Sequence, residues 1–314
     1  MGEITRGACP YRFTVFTPTY NRAHTLHRVF DSLMKQTFSD FEWLVVDDGS
    51  TDGTEAVLKQ FAEQTRWPMR TVNQPNLGKP AAFNRAVREA KGFLFLTLDS
   101  DDACKPRALE RFDYYWESIP FQERGGFSGV TVLCEDQDGR PVGDRFPTDI
   151  FDSDSLRNRY VHRIRGEKWG CHRTEVLRMF PFDETRGVSL STVWNRIARR
   201  YRTRYVNEAL RIYYTNESHG SLTQETHSRI AGPQGKALTR LEVLNRELDY
   251  FWYAPQNFIL SFIHYGRFSL LNRTPVSQIV RDLDGTWRRL AMVSLLPISY
   301  VVAMRDRIGG RVLQ

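Results

Sequence analysis

A chain of 314 residues with 41% hydrophobic residues has room for one large α/β domain and an appendage, and its composition excludes a disordered chain. Its net charge of +7 is concentrated at the C-terminus, where the last 48 residues carry +5; this suits an anionic membrane or a polyanionic substrate, and with no nucleic-acid-binding module in the sequence, nucleic acid is not an expected partner. Cys9, Cys104, Cys134 and Cys171 are isolated, with neither CxxC nor zinc spacing, and no secretory leader is read, so reduced thiols and a cytoplasmic setting are expected.

Arg12 to Thr17 (RFTVFT) reads as a short apolar strand ending in a Pro-Thr-Tyr-Asn loop. Thr25 then precedes a helix whose Leu26, Val29, Phe30, Leu33 and Met34 recur at helical spacing. Phe41 to Val46 (FEWLVV) is a second strand, closed by DDGSTDGT, and Thr54 opens a helix carrying Val57, Leu58 and Phe61. Met69 to Gln74 is a third strand, followed by PNLGKP. Pro80 suits the first turn of the next helix, which buries Phe83, Ala86, Val87 and Ala90. Phe93 to Leu98 (FLFLTL) is a fourth strand, apolar throughout, as expected when helices cover both faces of a parallel sheet.

Strand–helix alternation with short loops predicts a doubly wound, mostly parallel α/β sheet with helices on both faces. The polar loops PTYN, DDGS, NLGK and DSDD each follow the carboxyl end of a strand, the edge where open α/β sheets bind ligands. Beyond Cys134 the order loosens. DQDGRPVGD reads as a hairpin tip, Asp152 to Val161 as a surface helix, and EKWGCHRTEVL as a strand running into a short helix near Thr174. Val193, Ile197 and Ala198 mark another helix, TRYVNEALRIYY is strand-like, and from about Gln224 the pattern is helical. Leu290 to Met304 is a run of 15 uncharged residues between arginines, interrupted by Pro297. It is shorter than the roughly 20 residues a membrane span needs, so it either lies in a membrane interface or packs as part of a helical pair. The expected division is 1–223 and 224–314.

Asp99, Asp101 and Asp102 crowd the end of the fourth strand, where their repulsion is unfavourable unless a cation or strong donors offset it. In an extended segment Asp99 and Asp101 project the same way, making an open site for Mg²⁺ or Mn²⁺ that a diphosphate would complete. The purely structural alternative is a polar strand end, with Asp101 or Asp102 capping the next helix. An EF-hand is disfavoured by Ala103 and Cys104 at its fifth and sixth positions, and a phosphatase-type DxD belongs on a first strand. Asp47 and Asp48 end the second strand, where a carboxylate can accept from a nucleobase imide or ribose hydroxyls or, alternatively, cap the following helix. Gly78 lets backbone approach a ligand closely and Lys79 can meet a phosphate, though the loop lacks the P-loop spacing.

In order and spacing, FTPTYNRAHTL, QTFSDFEWLVVDDGSTDGT, NLGKPAAFNRAV and LTLDSDD resemble the family 2 inverting glycosyltransferases of GT-A fold, over about Phe13 to Leu222. Fainter echoes follow in KWGCHRTEVL, FPFDE, VWNRIARRY and YVNEALRIYY. The resemblance implies a GT-A-like sheet with a helical C-terminal appendage. It implies that Pro18, Thr19, Tyr20 and Asn21 line the nucleotide pocket, that Asp48 meets base or ribose, and that Gly78, Lys79 and Ser100 lie near the nucleotide. Asp99 and Asp101 fall at the metal–diphosphate end, with Asp101 the more direct ligand of Mg²⁺ or Mn²⁺. The implied partners are a nucleotide-sugar donor, a UDP-sugar above others, and a glycan or lipid-linked acceptor at the inner face of a membrane, a setting that a basic, peripherally attached C-terminus would suit.

One departure stands out. Where the family carries an acidic general base, this chain reads Ser189, Leu190 and Ser191. Inverting transfer needs a group to take the acceptor's proton, and the nearest carboxylates are Asp183 and Glu184. A metal-dependent inverting transferase is therefore expected, with a catalytically silent relative that binds nucleotide sugar or partners polysaccharide assembly as the alternative.

Overall fold

In the computed structural model, which describes residues 9–214 and 232–308, the four leading apolar runs become strands β1 (Tyr11–Thr19), β2 (Phe41–Asp47), β3 (Met69–Asn73) and β4 (Gly92–Thr97). They pair in parallel, β3-β2-β1-β4, with Phe13 opposite Phe41 and Leu94. Helices α1 (Leu26–Met34), α2 (Thr54–Gln64) and α3 (Lys79–Glu89) make the crossovers that parallel pairing requires. On one face, Phe30 of α1 stacks on Phe61 of α2 at 4.1 Å, over Trp43. On the other, Phe83 of α3 meets Phe16 and Phe95 edge-on or tilted, between 5.2 and 5.5 Å.

The rest of the sheet is mixed. Strand β5 (Ala103–Cys104) precedes α4 (Ala108–Glu117), and β6 (Phe127–Asp136) turns into β7 (Pro141–Val142) through the expected hairpin. Next come β8 (Ile150–Ser153), α5 (Ser155–Tyr160), β9 (Lys168–Arg173), α6 (Thr174–Met179), α7 (Ser191–Ala198) and β10 (Arg202–Tyr213). Strand β9 is inserted antiparallel between β4 and β6, and β10 runs parallel to β6 while pairing antiparallel with β5 and β8. The sheet order is β3-β2-β1-β4-β9-β6-β10-β5.

Asp152 to Val161 is not one surface helix. Residues up to Ser153 belong to β8, because Asp152 lies opposite Arg204 of β10 and holds its guanidinium through two hydrogen bonds, at 2.9 and 2.8 Å. Only then does Asp154 cap a short helix, accepting from the N–H of Arg157 at 2.8 Å, and Leu156 and Tyr160 are buried. A buried charge also sits inside β2. Glu42, fully buried, accepts from Thr14 Oγ1, the Lys91 N–H and two nitrogens of Arg70. Such satisfaction is what a carboxylate in a core needs.

The chain divides into two units, Met1–Phe182 with Val193–Asn216, and Asp183–Thr192 with Glu217–Gln314. The first holds the sheet. The second is helical, with α8 (Pro233–Arg246), α9 (Pro255–Leu271), α10 (Val276–Arg281) and α11 (Thr286–Ile308). The expected start of helix at Gln224 lies outside the described residues. Within this unit α9 packs on both α8 and α11. A Cβ on Gly266 would come within 2.6 Å of Ser299 Oγ, so only glycine permits the approach of α9 to α11. Among the described residues no helix is long and apolar enough to cross a membrane.

Candidate functional site

The loops after β1 and β2 are knit into one surface. Asn21 takes a left-handed φ of +53°; its N–H donates to Ser50 Oγ at 2.8 Å and its Oδ1 accepts from the Thr51 N–H at 2.8 Å. Ser50 in turn donates to Asp47 at 2.6 Å. Pro18 pairs beside Val46 at the end of β1, and the Thr19 carbonyl accepts from the Asp48 N–H at 2.9 Å. Tyr20 is exposed, whereas Thr19 Oγ1 is buried with no hydrogen-bond partner among the described residues. An orphaned hydroxyl of this kind is a group that a ligand can satisfy.

Asp48 is buried and fully engaged. It accepts from Gln74 Nε2 at 2.7 Å, from the Leu77 N–H at 2.9 Å and from the Gly78 N–H at 2.7 Å. Its direct work in the ligand-free protein is to hold the NLGK loop against the end of β2. The loop depends on glycine twice. Gly78 has φ +91°, and Gly49 has φ +83° with its Cβ position only 3.0 Å from the Asn76 nitrogen.

The DSDD segment is a turn, not an extended strand end. The Asp102 N–H donates to the Asp99 carbonyl at 3.1 Å, and Ala103 and Cys104 then pair with β10 as β5. The next helix starts at Ala108, so neither Asp101 nor Asp102 caps it. The three carboxylates are treated differently. Lys79 Nζ lies 2.6 Å from Asp99 Oδ1, and Arg211, from β10, reaches Asp99 Oδ2 at 3.0 Å and Asp102 Oδ2 at 2.8 Å through Nε. The Tyr214 N–H takes the other oxygen of Asp102, and the Ser100 side chain is buried beside them in sequence. Burial works against the charge of Asp99, yet Lys79 and Arg211 outweigh it and hold the pKa at about 2. Burial raises Asp102 to about 7, with repulsion from Asp99 and Asp101 adding to it against the pull of Arg211.

Asp101 is the exception. It is half-buried, and its carboxylate accepts from its own backbone N–H. Burial and then repulsion from Asp99 raise its pKa, while Arg22 and Lys79 oppose them. A half-buried carboxylate with a raised proton affinity is a hard oxygen donor of the kind that could join a divalent cation whose other positions are filled by phosphate and water. Asp99 reaches such a cation only by sharing its oxygens with Lys79 and Arg211.

Arg211 and Gln74 are the site residues that pattern reading missed. A usable signal existed for Arg211, an arginine between Leu210 and Ile212 in an apolar strand, 6% exposed. A cation so placed needs a buried acid.

The candidate bases belong to the second unit. Asp183 and Glu184 are exposed, and Asp183 accepts from the Thr185 N–H at 2.8 Å, closing its own turn. Ser189 and Ser191 hydroxyls pair at 2.8 Å, the Ser189 N–H donates to Thr239 of α8 at 3.0 Å, and a Cβ on Gly235 would meet the Arg186 carbonyl at 2.3 Å. In the first unit, Asn84 of α3 both donates to and accepts from the backbone of Phe182, at 2.9 and 2.8 Å, fixing the residue that precedes Asp183.

Residues 14–169 match the family model Glycosyl transferase family 2. The UDP-Glc:α-D-GlcNAc-diphosphoundecaprenol β-1,3-glucosyltransferase WfgD of Escherichia coli is 35% identical over 100 residues, 32% of this chain and 39% of that protein. The chain spans less than two thirds of the length of the curated relatives it matches. Among solved structures, S. aureus TarS 1–349 in complex with UDP-GlcNAc superposes with a TM-score of 0.63 at 19% identity, over 95% of this chain and 92% of that one. GalNAc-T7 with UDP, GalNAc and Mn²⁺ superposes with a TM-score of 0.55 at 13% identity, over 84% and 54%. Both share the fold.

Proposed function

From the premise that the chain belongs to glycosyl transferase family 2, we propose that it is a metal-dependent inverting glycosyltransferase acting on a nucleoside diphosphate sugar, a UDP-sugar above others, and on a glycan or lipid-linked acceptor at the inner face of a membrane. The observation that carries this reading is the uneven treatment of DSDD: Asp99 and Asp102 are neutralised by Lys79 and Arg211, whereas Asp101, with its pKa raised by burial and by Asp99, stands at the ligand edge of the sheet. The names of the relatives support the donor: WfgD uses UDP-Glc, TarS was solved with UDP-GlcNAc, and GalNAc-T7 with UDP and Mn²⁺.

In this reading the Thr19 hydroxyl and the loop that Asp48 holds receive the nucleoside, and Lys79 faces the diphosphate. Asp101, with Asp99 beside it, would hold Mg²⁺ or Mn²⁺, which neutralises charge on the departing diphosphate. The acceptor oxygen attacks the anomeric carbon as the bond to the diphosphate oxygen breaks, its electron pair leaving with the nucleotide. The acceptor's proton passes to a base, for which Asp183 and Glu184 are the candidates. Incubating the protein with UDP-sugars and Mn²⁺ and measuring UDP release tests this; no release and no nucleotide-dependent thermal shift would refute it. One observation favours the silent relative instead: Leu190 occupies the acidic slot, and Asp183 is already used by its own turn. Donor binding without turnover on any acceptor would establish that second reading.

A further inference from the structure

We infer that the outward face of α11 is a docking surface for an anionic lipid bilayer, a partner that rests on the membrane location proposed above but not on the transfer reaction. Helix α11 is amphipathic in the wrong sense for a surface helix. Its inward side, against α9, buries Met292, Ser299, Ala303 and Asp306. Half a turn away, at 3.6 residues per turn, lie Leu290 and Val301, with Val293 on one flank and Trp287 and Ile298 on the other, about a third of a turn from the buried side. These are not grazing exposures: Leu290 is 63% and Val301 66% exposed. Soluble surface helices put polar residues there.

The charges decide what covers this face. Asp306 is the one acid on α11, and it is turned inward and paired with Arg267. Arg289, Arg305 and Arg307 are exposed. Arg289 and Arg307 bond only backbone carbonyls among the described residues, of Leu283, Arg281 and Leu270, which orient the guanidinium without cancelling its charge. An apolar stripe flanked by uncompensated arginines, with Trp287 and Tyr300 exposed beside it, is the pattern of an interfacial helix: aliphatic and aromatic groups enter the acyl boundary and guanidinium groups reach lipid phosphates. The stripe from Trp287 to Val301 is about 21 Å long at ~1.5 Å per residue, which suits a helix lying in the plane of the interface. A second copy of the chain is a poorer occupant, since pairing the stripe with itself would bring arginines against arginines.

The test is co-sedimentation of the full chain with phosphatidylglycerol vesicles and, separately, phosphatidylcholine vesicles, at low and high salt. The proposal expects binding to phosphatidylglycerol that is at least about tenfold weaker on phosphatidylcholine and weakens with salt. It expects the double variant Leu290→Glu/Val301→Glu to lose binding by a similar factor. Both positions are exposed, so the variant should melt like wild type and keep any nucleotide-dependent thermal shift, which separates failure of this surface from failure of the donor site. Equal binding by wild type and double variant would overturn the proposal. So would a wild-type dimer in size-exclusion chromatography that ignores both kinds of vesicle and becomes monomeric in the double variant.

Discussion

Replacing Asp101 by Asn removes a charge that its surroundings disfavour on balance. Burial and repulsion from Asp99 weigh against that charge more than Arg22, Lys79 and the residue's own backbone N–H favour it. The apo protein should therefore change by no more than about 0.5 kcal/mol, the range of substitutions that break no contact. The effect should appear with ligand. At a nucleotide and Mn²⁺ concentration about 100 times Kd, the wild type gains roughly 2.7 kcal/mol. For a unit of this size that is about 5–11 °C in Tm, at ~2–4 °C per kcal/mol. Asp101→Asn should abolish the Mn²⁺-dependent part of that shift. Asp99→Asn should behave in the opposite way, because it strips Lys79 and Arg211 of a shared acceptor and should destabilise the apo protein by roughly 1–3 kcal/mol. Differential scanning fluorimetry with UDP, with and without Mn²⁺, reads both. If Asp101→Asn kept the full Mn²⁺-dependent shift, the assignment of Asp101 to a metal would be refuted.

Three further outcomes follow from the same geometry. Asp99 has its pKa lowered from 3.8 to about 2, so its contribution is complete above about pH 4 and is lost as pH falls toward 2; the Tm gap between wild type and Asp99→Asn should close across that window, and a constant gap would contradict the ion-pair account. Gly49→Ala forces a side chain into φ +83° against the Asn76 backbone and should cost about 1–2 kcal/mol in urea unfolding; an unchanged midpoint would show that the loop can relax. Of Asp183→Asn and Glu184→Gln, the one that removes the base should cut transfer about 10²–10⁴-fold with donor affinity intact, and full activity in both would move the base elsewhere.

The parallel half of the sheet was legible because its signals are local. Val15, Trp43, Val45 and Leu94 lie in apolar runs, and Leu26, Val29, Phe30 and Leu33 recur with helical period, so each element declares itself within a dozen residues. What escaped depends on distant partners. Asp152 reads as helix in its own neighbourhood and becomes strand because Arg204 lies opposite it in β10. The insertion of β9 between β4 and β6 is likewise a matter of register, and KWGCHR announces a strand without announcing its neighbours. At the site, the loops and their residue types were readable, but the state of each carboxylate was not. Asp48 turns out to be consumed by Gln74, Leu77 and Gly78, and Asp99 by a lysine and an arginine far along the chain.

The crowding of three acids at one strand end is thus resolved without requiring a ligand to hold the apo fold together. Arg211 bridges Asp99 and Asp102, Lys79 completes Asp99, and the remaining negative charge is confined to Asp101. That division has a mechanistic consequence. Had all three carboxylates been unpaired, losing the metal would have destabilised the sheet edge, and binding could not be separated from folding. With two of them neutralised internally, the ligand edge is preorganised, and under the proposed function a metal–diphosphate would engage chiefly Asp101. Donor binding then says nothing about whether transfer occurs, because transfer also needs a proton acceptor, and the candidate carboxylates Asp183 and Glu184 lie in the segment of the second unit that Thr239 and Gly235 hold on α8. The donor site is compatible with both an active transferase and a silent relative. What divides them is the chemistry of residues 183–191, where a leucine stands in the acidic slot.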